Sequence, residues 1–215
     1  MRICIISAME KEYRMLSGLS SIAGHEIIPA VSGIGKVNAA LGAAELIAKY
    51  APDCIINTGV AGGLGANVHM GDAVVGVQCA YHDVWCGEGN EPGQVQGLPA
   101  RFDADPDLLG VARSLDPRRT VHYGLICTGD RFIEKREEDM EILRVFPDAL
   151  ACDMESAAFA QVCCLKGVPF MSLRIVSDCV ADGGHELSYN DFWANVSEVS
   201  FGLVKELIEK IPHRQ

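Results

Sequence analysis

No stretch of this 215-residue chain is apolar for the ~18 residues that a membrane-crossing helix needs. No run of lysine or arginine stands out either, and the formal net charge is −11. Together these argue against nucleic acid or an anionic membrane as partner, and leave little field to steer a highly phosphorylated substrate. A disulfide framework is also missing. The nine cysteines are an odd number, and Cys4, Cys54, Cys79, Cys127, Cys163 and Cys164 sit inside apolar segments, where a free thiol behaves as a small hydrophobe. Cys79, His82 and Cys86 match no standard zinc spacing and have no evident fourth ligand, so neither metal nor cofactor is expected. Linkers, repeats and low-complexity tracts are absent. The opening MRICIISAMEKE has too short an apolar core for a signal peptide and turns to charge at once, so it reads as a first buried strand of a cytoplasmic protein.

What is present is ordinary globular composition, 49% hydrophobic and 22% charged, in a chain long enough to fill one substantial core. Short apolar runs predict strands over 2–7, 27–32, 53–58, 72–80, 121–128, 149–152 and 169–177. Between them, KVNAALGAAELIAKY (36–50) has helical spacing, Asp105 is a candidate N-cap ahead of Pro106, and helices are expected over about 154–166 and 189–211. Strands alternating with helices make an α/β sandwich around a mostly parallel or mixed sheet. Residues 85–101 form the one long irregular stretch, a candidate lid or interface element.

In open α/β sheets, ligands gather at the carboxyl ends of strands. Those ends carry Ala8-Met9-Glu10-Lys11-Glu12, GVAGG (59–63), GDRFI (129–133), DMES (153–156) and Ser177-Asp178. Four of these five junctions bear an acid, and a purely structural domain has no reason to gather like charges at one edge. Each signal alone also has a plainer explanation. GVAGG is either a tight strand-to-helix turn or a close backbone approach to a ligand. GIGKVNA (33–39) resembles a dinucleotide fingerprint but has Asn38 where the third glycine belongs. Asp153 and Glu155 stand where a helix dipole favours acids, and Arg174 is expected to pair with an acid structurally.

Taken in order, IISAMEKE, SGIGKVNAALGA, INTGVAGGL, YHDV, TGDRFI, DMESAAFAQVC and RIVSDCVAD closely resemble the nucleoside phosphorylase/hydrolase superfamily. Within it they resemble the 5′-methylthioadenosine/S-adenosylhomocysteine nucleosidases, from residue 2 to about 205. The resemblance implies a three-layer α/β/α sandwich with a central mixed sheet, one domain over 1–215, a homodimer, and hydrolysis of the N-glycosidic bond of an adenine nucleoside. It puts Glu12 at the general base that activates water and Asp178 at the general acid for purine N7. It further implies that Phe132 stacks on the base, the Ile133 backbone reads its edge, and Met154 and Glu155 lie under the ribose. Ala61, Gly62 and Ser177 line the pocket, and Tyr189 falls near the 5′ tail. The chemistry calls for these residue types: protonated adenine leaves more easily, and an oxocarbenium-like sugar needs negative charge beside it.

The chain departs from the family pattern at several positions. Val60 stands where a serine is common, Asp153 replaces the first glutamate of an EME triplet, and CGEGNEPGQ (86–94) replaces an aromatic-rich loop. Glu88 and Asn90 in that loop point to a more polar 5′ group or a more open site. Phosphate-using relatives carry arginine just before the glycine segment and a hydroxyl within it; here the positions read Asn57 and Val60, which favours water as nucleophile. A futalosine-type nucleoside hydrolase, a purine nucleoside phosphorylase and a non-catalytic nucleoside-binding protein are the alternatives.

Overall fold

In the computed structural model, which describes residues 1–14, 16–179 and 200–213, nine strands join one mixed sheet. The order along the chain is β1 (Arg2–Ser7), α1 (Glu10–Tyr13), β2 (Ser21–Ile22), β3 (His25–Val31), α2 (Lys36–Tyr50), β4 (Cys54–Gly63) and β5 (Ala73–Tyr81). Then follow β6 (Phe102–Asp103), α3 (Pro106–Ala112), β7 (Val121–Thr128), α4 (Arg136–Val145), β8 (Ala149–Asp153), α5 (Ser156–Lys166) and β9 (Phe170–Cys179). Residues 200–209 are helical; the expected start of that helix at 189 and the candidate Tyr189 lie outside the described residues.

The period-2 alternation of the strands decides the layering. Ile3 and Ile5 of β1 pack on one face with Leu203, Val204, Leu207 and Ile208 of the last helix and Leu108 of α3. Cys4 and Ile6 point the other way, toward Ala39, Ala43 and Leu46 of α2 and the alanines of α5. Helices therefore cover both faces, as the three-layer expectation requires. Asp105 caps α3 as its position ahead of Pro106 predicts, accepting from the N–H groups of Asp107 and Leu108.

Other features differ from the sequence expectation. The GVAGG segment is not a turn into a helix. It continues β4 to Gly63, and β9 runs parallel beside it from Ile55 to Gly63. β9 also pairs antiparallel with β5, β5 pairs with β7, β7 with β8, and β8 with the end of β4. These five strands close a circuit, so part of the sheet is a barrel rather than an open layer. α4 was not foreseen: REEDMEILRV is mostly charged and buries only Ile142. The helix expected from 154 begins at Ser156, which leaves Met154 and Glu155 in the bend before it.

One edge of β4 is shared unequally. β1 pairs with residues 54–57 and β8 with residues 62–63, both along the edge opposite β9. Residues 58–61 are left without a strand partner there, and the carboxyl ends of β1 and β8 converge on that gap.

The last helix contributes its apolar face to the core beneath β1 and β4. Leu207→Ala, at a side chain with no solvent exposure, is expected to cost about 2–5 kcal/mol. Urea unfolding should show a lower midpoint with an unchanged slope; a loss below about 1 kcal/mol would mean that this helix does not close the face.

Candidate active site

The gap along β4 is the floor of a pocket whose empty space, including the part open to solvent, is about 660 Å³. Glu12 reaches it from α1, immediately after β1. Its Oε1 accepts the Val60 N–H at 3.0 Å, the donor that a neighbouring strand would otherwise take. Its Oε2 accepts the N–H groups of Ala8 (3.1 Å) and Met9 (3.0 Å). Burial pushes the Glu12 carboxyl above its ordinary range, against the opposing pull of Arg174 and these three N–H donors.

Gly59 explains why the segment is glycine-rich. A β-carbon there would stand 2.4 Å from Glu12 Oε1 and 2.7 Å from Arg174 Nη1. The close approach that the sequence pattern pointed to is therefore to the protein's own side chains. Arg174 lies opposite Gly59 on β9 and is 1% exposed. Its Nη2 is 2.8 Å from Asp153 Oδ2 and 3.5 Å from Glu155 Oε2.

The two acids of DMES separate into different tasks. Asp153 accepts from the Thr128 hydroxyl (2.6 Å) and from the N–H groups of Glu155 (3.2 Å) and Ser156 (3.1 Å), besides its pairing with Arg174. The Ser156 hydroxyl lies against its other oxygen. It is a structural anchor for the start of α5. Glu155 is only 5% exposed yet lines the pocket, and accepts the Gly35 N–H at 2.9 Å. Burial raises its carboxyl to about 7; Arg174 opposes the rise, Asp153 adds to it, the Gly35 hydrogen bond opposes it and Glu12 adds to it.

On the far wall, a bulge in β9 sets Val176 opposite Ala61 and Asp178 opposite Gly62, with Ser177 as the extra residue. Such a bulge re-aims side chains, and here both Ser177 and Asp178 line the pocket. The Ser177 hydroxyl lies 2.5 Å from Asp178 Oδ1 and 3.2 Å from the Ala61 carbonyl. Arg131, Phe132 and Ile133 form the rim, Phe132 being 72% exposed. Met154 lines the wall beside Glu155.

Nine of the ten residues singled out from sequence thus line one pocket: Glu12, Ala61, Gly62, Phe132, Ile133, Met154, Glu155, Ser177 and Asp178. Tyr189 is the tenth and lies outside the described residues. Sequence reasoning did not single out Ala8, Met9, Ile34, Cys152 or Arg131 as lining residues. Ile34 was detectable as a lone apolar residue between Gly33 and Gly35, and Arg131 as the cation within GDRFI. Cys152 stood only as the last residue of the expected strand 149–152. Asn57, where phosphate-using relatives carry arginine, is fully buried, with its amide nitrogen on the Ile6 carbonyl and its oxygen near Ser156 and Ser172. No residue of 85–101 is among the described residues lining this pocket, and no group of three His, Cys, Asp or Glu among the described residues is placed to hold a metal ion.

Comparison with known proteins gives a consistent result. The family profile described as Phosphorylase superfamily matches residues 8–209. A 5′-methylthioadenosine/S-adenosylhomocysteine nucleosidase from Neisseria meningitidis, solved with methylthio-immucillin-A, is 38% identical over 97% of this chain and 98% of its own, with a TM-score of 0.88. An S-adenosylhomocysteine nucleosidase from Streptococcus pyogenes, solved with 5-methylthiotubericidin, is 30% identical over 99% and 98%, with a TM-score of 0.92. A 5′-methylthioadenosine/S-adenosylhomocysteine nucleosidase from Colwellia psychrerythraea, solved with adenine, is 33% identical over 98% and 96%, with a TM-score of 0.90. The chain belongs to the phosphorylase superfamily and, within it, to the 5′-methylthioadenosine/S-adenosylhomocysteine nucleosidase family.

Proposed function

We propose that the protein hydrolyses the N-glycosidic bond of 5′-substituted adenine nucleosides, among them methylthioadenosine and S-adenosylhomocysteine, to adenine and the ribose derivative. The observation that carries this reading is the convergence of Glu12, Glu155 and Asp178, from three distant parts of the chain, on one pocket rimmed by Phe132. Relatives solved with adenine or with methylthio nucleoside analogues support it.

In this mechanism Asp178, steadied by the Ser177 hydroxyl, donates a proton to purine N7 as the C1′–N9 bond stretches. Phe132 covers the base and the Ile133 backbone reads its edge. Glu155 and Met154 hold the ribose from below, and the Glu155 carboxylate faces the cationic charge that grows on the sugar. Glu12 takes the proton from water attacking C1′. Its raised affinity for protons suits a general base better than an ordinary carboxylate would. Water rather than phosphate is the nucleophile, because Asn57 is committed to the core and Val60 presents no hydroxyl. We further propose a homodimer in the cytoplasm; Val37 and Leu41, one turn apart on α2, are 70% and 58% exposed and suit a partner surface. The polar 85–101 stretch leaves the choice of 5′ group to a substrate panel.

That panel sets methylthioadenosine, S-adenosylhomocysteine, 5′-deoxyadenosine and inosine against the purified protein, with and without phosphate. Free adenine from the first three, independent of phosphate, is the expected result. A sugar 1-phosphate formed only with phosphate, or turnover of inosine alone, would overturn the assignment. Asp178→Asn and Glu12→Gln should each lower kcat about 10²–10⁴-fold with the fold intact, and near-normal rates in either variant would refute the assigned role.

The pH profile follows from the two raised carboxyls. Both Glu155 and Glu12 act as anions, so protonating them removes activity. The value of kcat/KM should therefore fall as pH drops through about 7, the figure to which Glu155 is raised, rather than near the ordinary carboxylate range. Because the groups interact, the limb reports the cluster rather than one residue. A profile flat from pH 8 down to pH 5 would show that neither group needs to be ionised.

A further inference from the structure

The GIGK turn leads into the N-terminus of α2, where a dinucleotide-binding fold would place phosphate. Here two carboxylates from elsewhere in the chain take that position. Glu155 Oε1 accepts the Gly35 N–H at 2.9 Å, and Asp130 Oδ1 accepts the next one, from Lys36, at 2.7 Å. Gly35 has φ +93°, and a β-carbon on it would sit 3.0 Å from Asp130 Oδ1, so the turn and the carboxylate fit each other.

Asp130 is itself held. Its N–H donates to Asp83 Oδ2 at 2.8 Å, and the Lys36 ammonium sits 2.8 Å from both Asp83 oxygens and 4.0 Å from Asp130 Oδ2. Lys36 also stands 5.3 Å from the centre of the Tyr81 ring. Behind Asp130, the Gly129 N–H donates to the Asp153 carbonyl at 3.1 Å, tying this loop to the strand that carries the site acids. Two rim loops, one bearing Ile34 and the other Arg131 to Ile133, are thereby fastened together at their bases.

We propose that Asp130 is a positioning residue: with Lys36 and Asp83 it clamps the first turn of α2 against the 129–133 loop, and so fixes the Gly35 N–H on which Glu155 rests. The clamp touches no part of the proposed substrate volume. It acts through Glu155, whose other charged neighbours are Arg174 on β9, Asp153 on β8 and Glu12 on α1. Releasing the clamp lets the Gly35 N–H drift, and Glu155 then holds its negative charge with one donor fewer. It also lets Ile34 and Phe132 part, which weakens substrate binding. The consequence for turnover rests on the nucleosidase reading; the consequence for Glu155 does not.

Asp130→Ala removes the acceptor, Asp130→Asn keeps one without the charge, and Asp83→Ala frees both the lysine and the Asp130 N–H while keeping the Asp130 carboxylate. The direct readout is the titration of Glu155 by carboxyl-labelled glutamate NMR, its signal identified by Glu155→Gln. In Asp130→Ala the midpoint should rise by about 1 pH unit, the shift that matches one lost hydrogen bond to a charged group. Asp83→Ala should move it the same way but less, and Asp130→Asn should leave it near the wild-type value. In parallel, the acid limb of kcat/KM should move up with the midpoint, and KM should rise severalfold in Asp130→Ala. An unmoved Glu155 midpoint in Asp130→Ala and Asp83→Ala overturns the proposal, as does Asp130→Asn shifted as far as Asp130→Ala. Should Asp130→Ala fail to fold, Asp83→Ala decides the matter alone. Wild-type protein that releases no adenine from any nucleoside sinks the functional reading instead, and the titration still judges the clamp.

Discussion

Arg174 is a fully buried cation, and the architecture of the site follows from the need to neutralise it. Burial works against its charge, and Asp153, Glu155 and Glu12 together more than offset that. A guanidinium left without partners in that position would cost several kcal/mol, so the three elements carrying those acids, and β9 itself, are bound to one geometry. Asp153 supplies the short, well-satisfied pairing. Glu155 and Glu12 sit at the edge of the same field, close enough to be influenced and free enough to face a pocket. The buried Asn57, Ser156 and Ser172 side chains fill the polar remainder around the guanidinium, and Ser156 lies 3.2 Å from its Nε.

The second constraint is the divided edge of β4. A strand edge left open inside a protein exposes N–H and C=O groups that must find partners. The Glu12 carboxylate accepts the Val60 N–H at the gap, so the residue proposed as general base also repairs the sheet. Gly59 is what lets that carboxylate and Arg174 lie flat against the strand, since any side chain would strike both. The bulge at Ser177 does the corresponding job on the other side, presenting Asp178 beside Gly62 where regular pairing would have set the two out of register.

Much of this was legible in the sequence, and the gaps have physical causes. β1 and α2 match their expected bounds because one is an unbroken apolar run and the other an apolar pattern at helical spacing, with charge or glycine beside them. β4 extends past its expected end because a glycine-rich stretch carries no strand signal; its extension is imposed by β9 pairing along it, a contact distant in sequence. The closed circuit of five strands is likewise a property of long-range pairing that no local pattern encodes. Acids at strand ends identified the site, but could not divide its labour: Asp153 and Glu155 look equivalent as letters. The distinction between them is that five neighbouring groups saturate Asp153, whereas Glu155 meets one N–H and a more distant guanidinium.

That unequal division has a consequence for the chemistry. Burial makes both Glu155 and Glu12 reluctant to ionise, and Arg174, closely matched by Asp153, offsets that only in part. A pocket of this kind is under-neutralised before anything binds. On the nucleosidase reading, the missing charge is the one that develops on the sugar as its bond to the purine breaks, so the electrostatic stabilisation is present before the reaction begins and is satisfied only near its transition state. Had the site carried a second buried cation, the carboxylates would be comfortable in the free protein and would gain little from the reaction. The same arithmetic explains why an N–H donor, and not another arginine, holds Glu155 from the α2 side. A partial positive charge steadies the carboxylate's position without cancelling its charge.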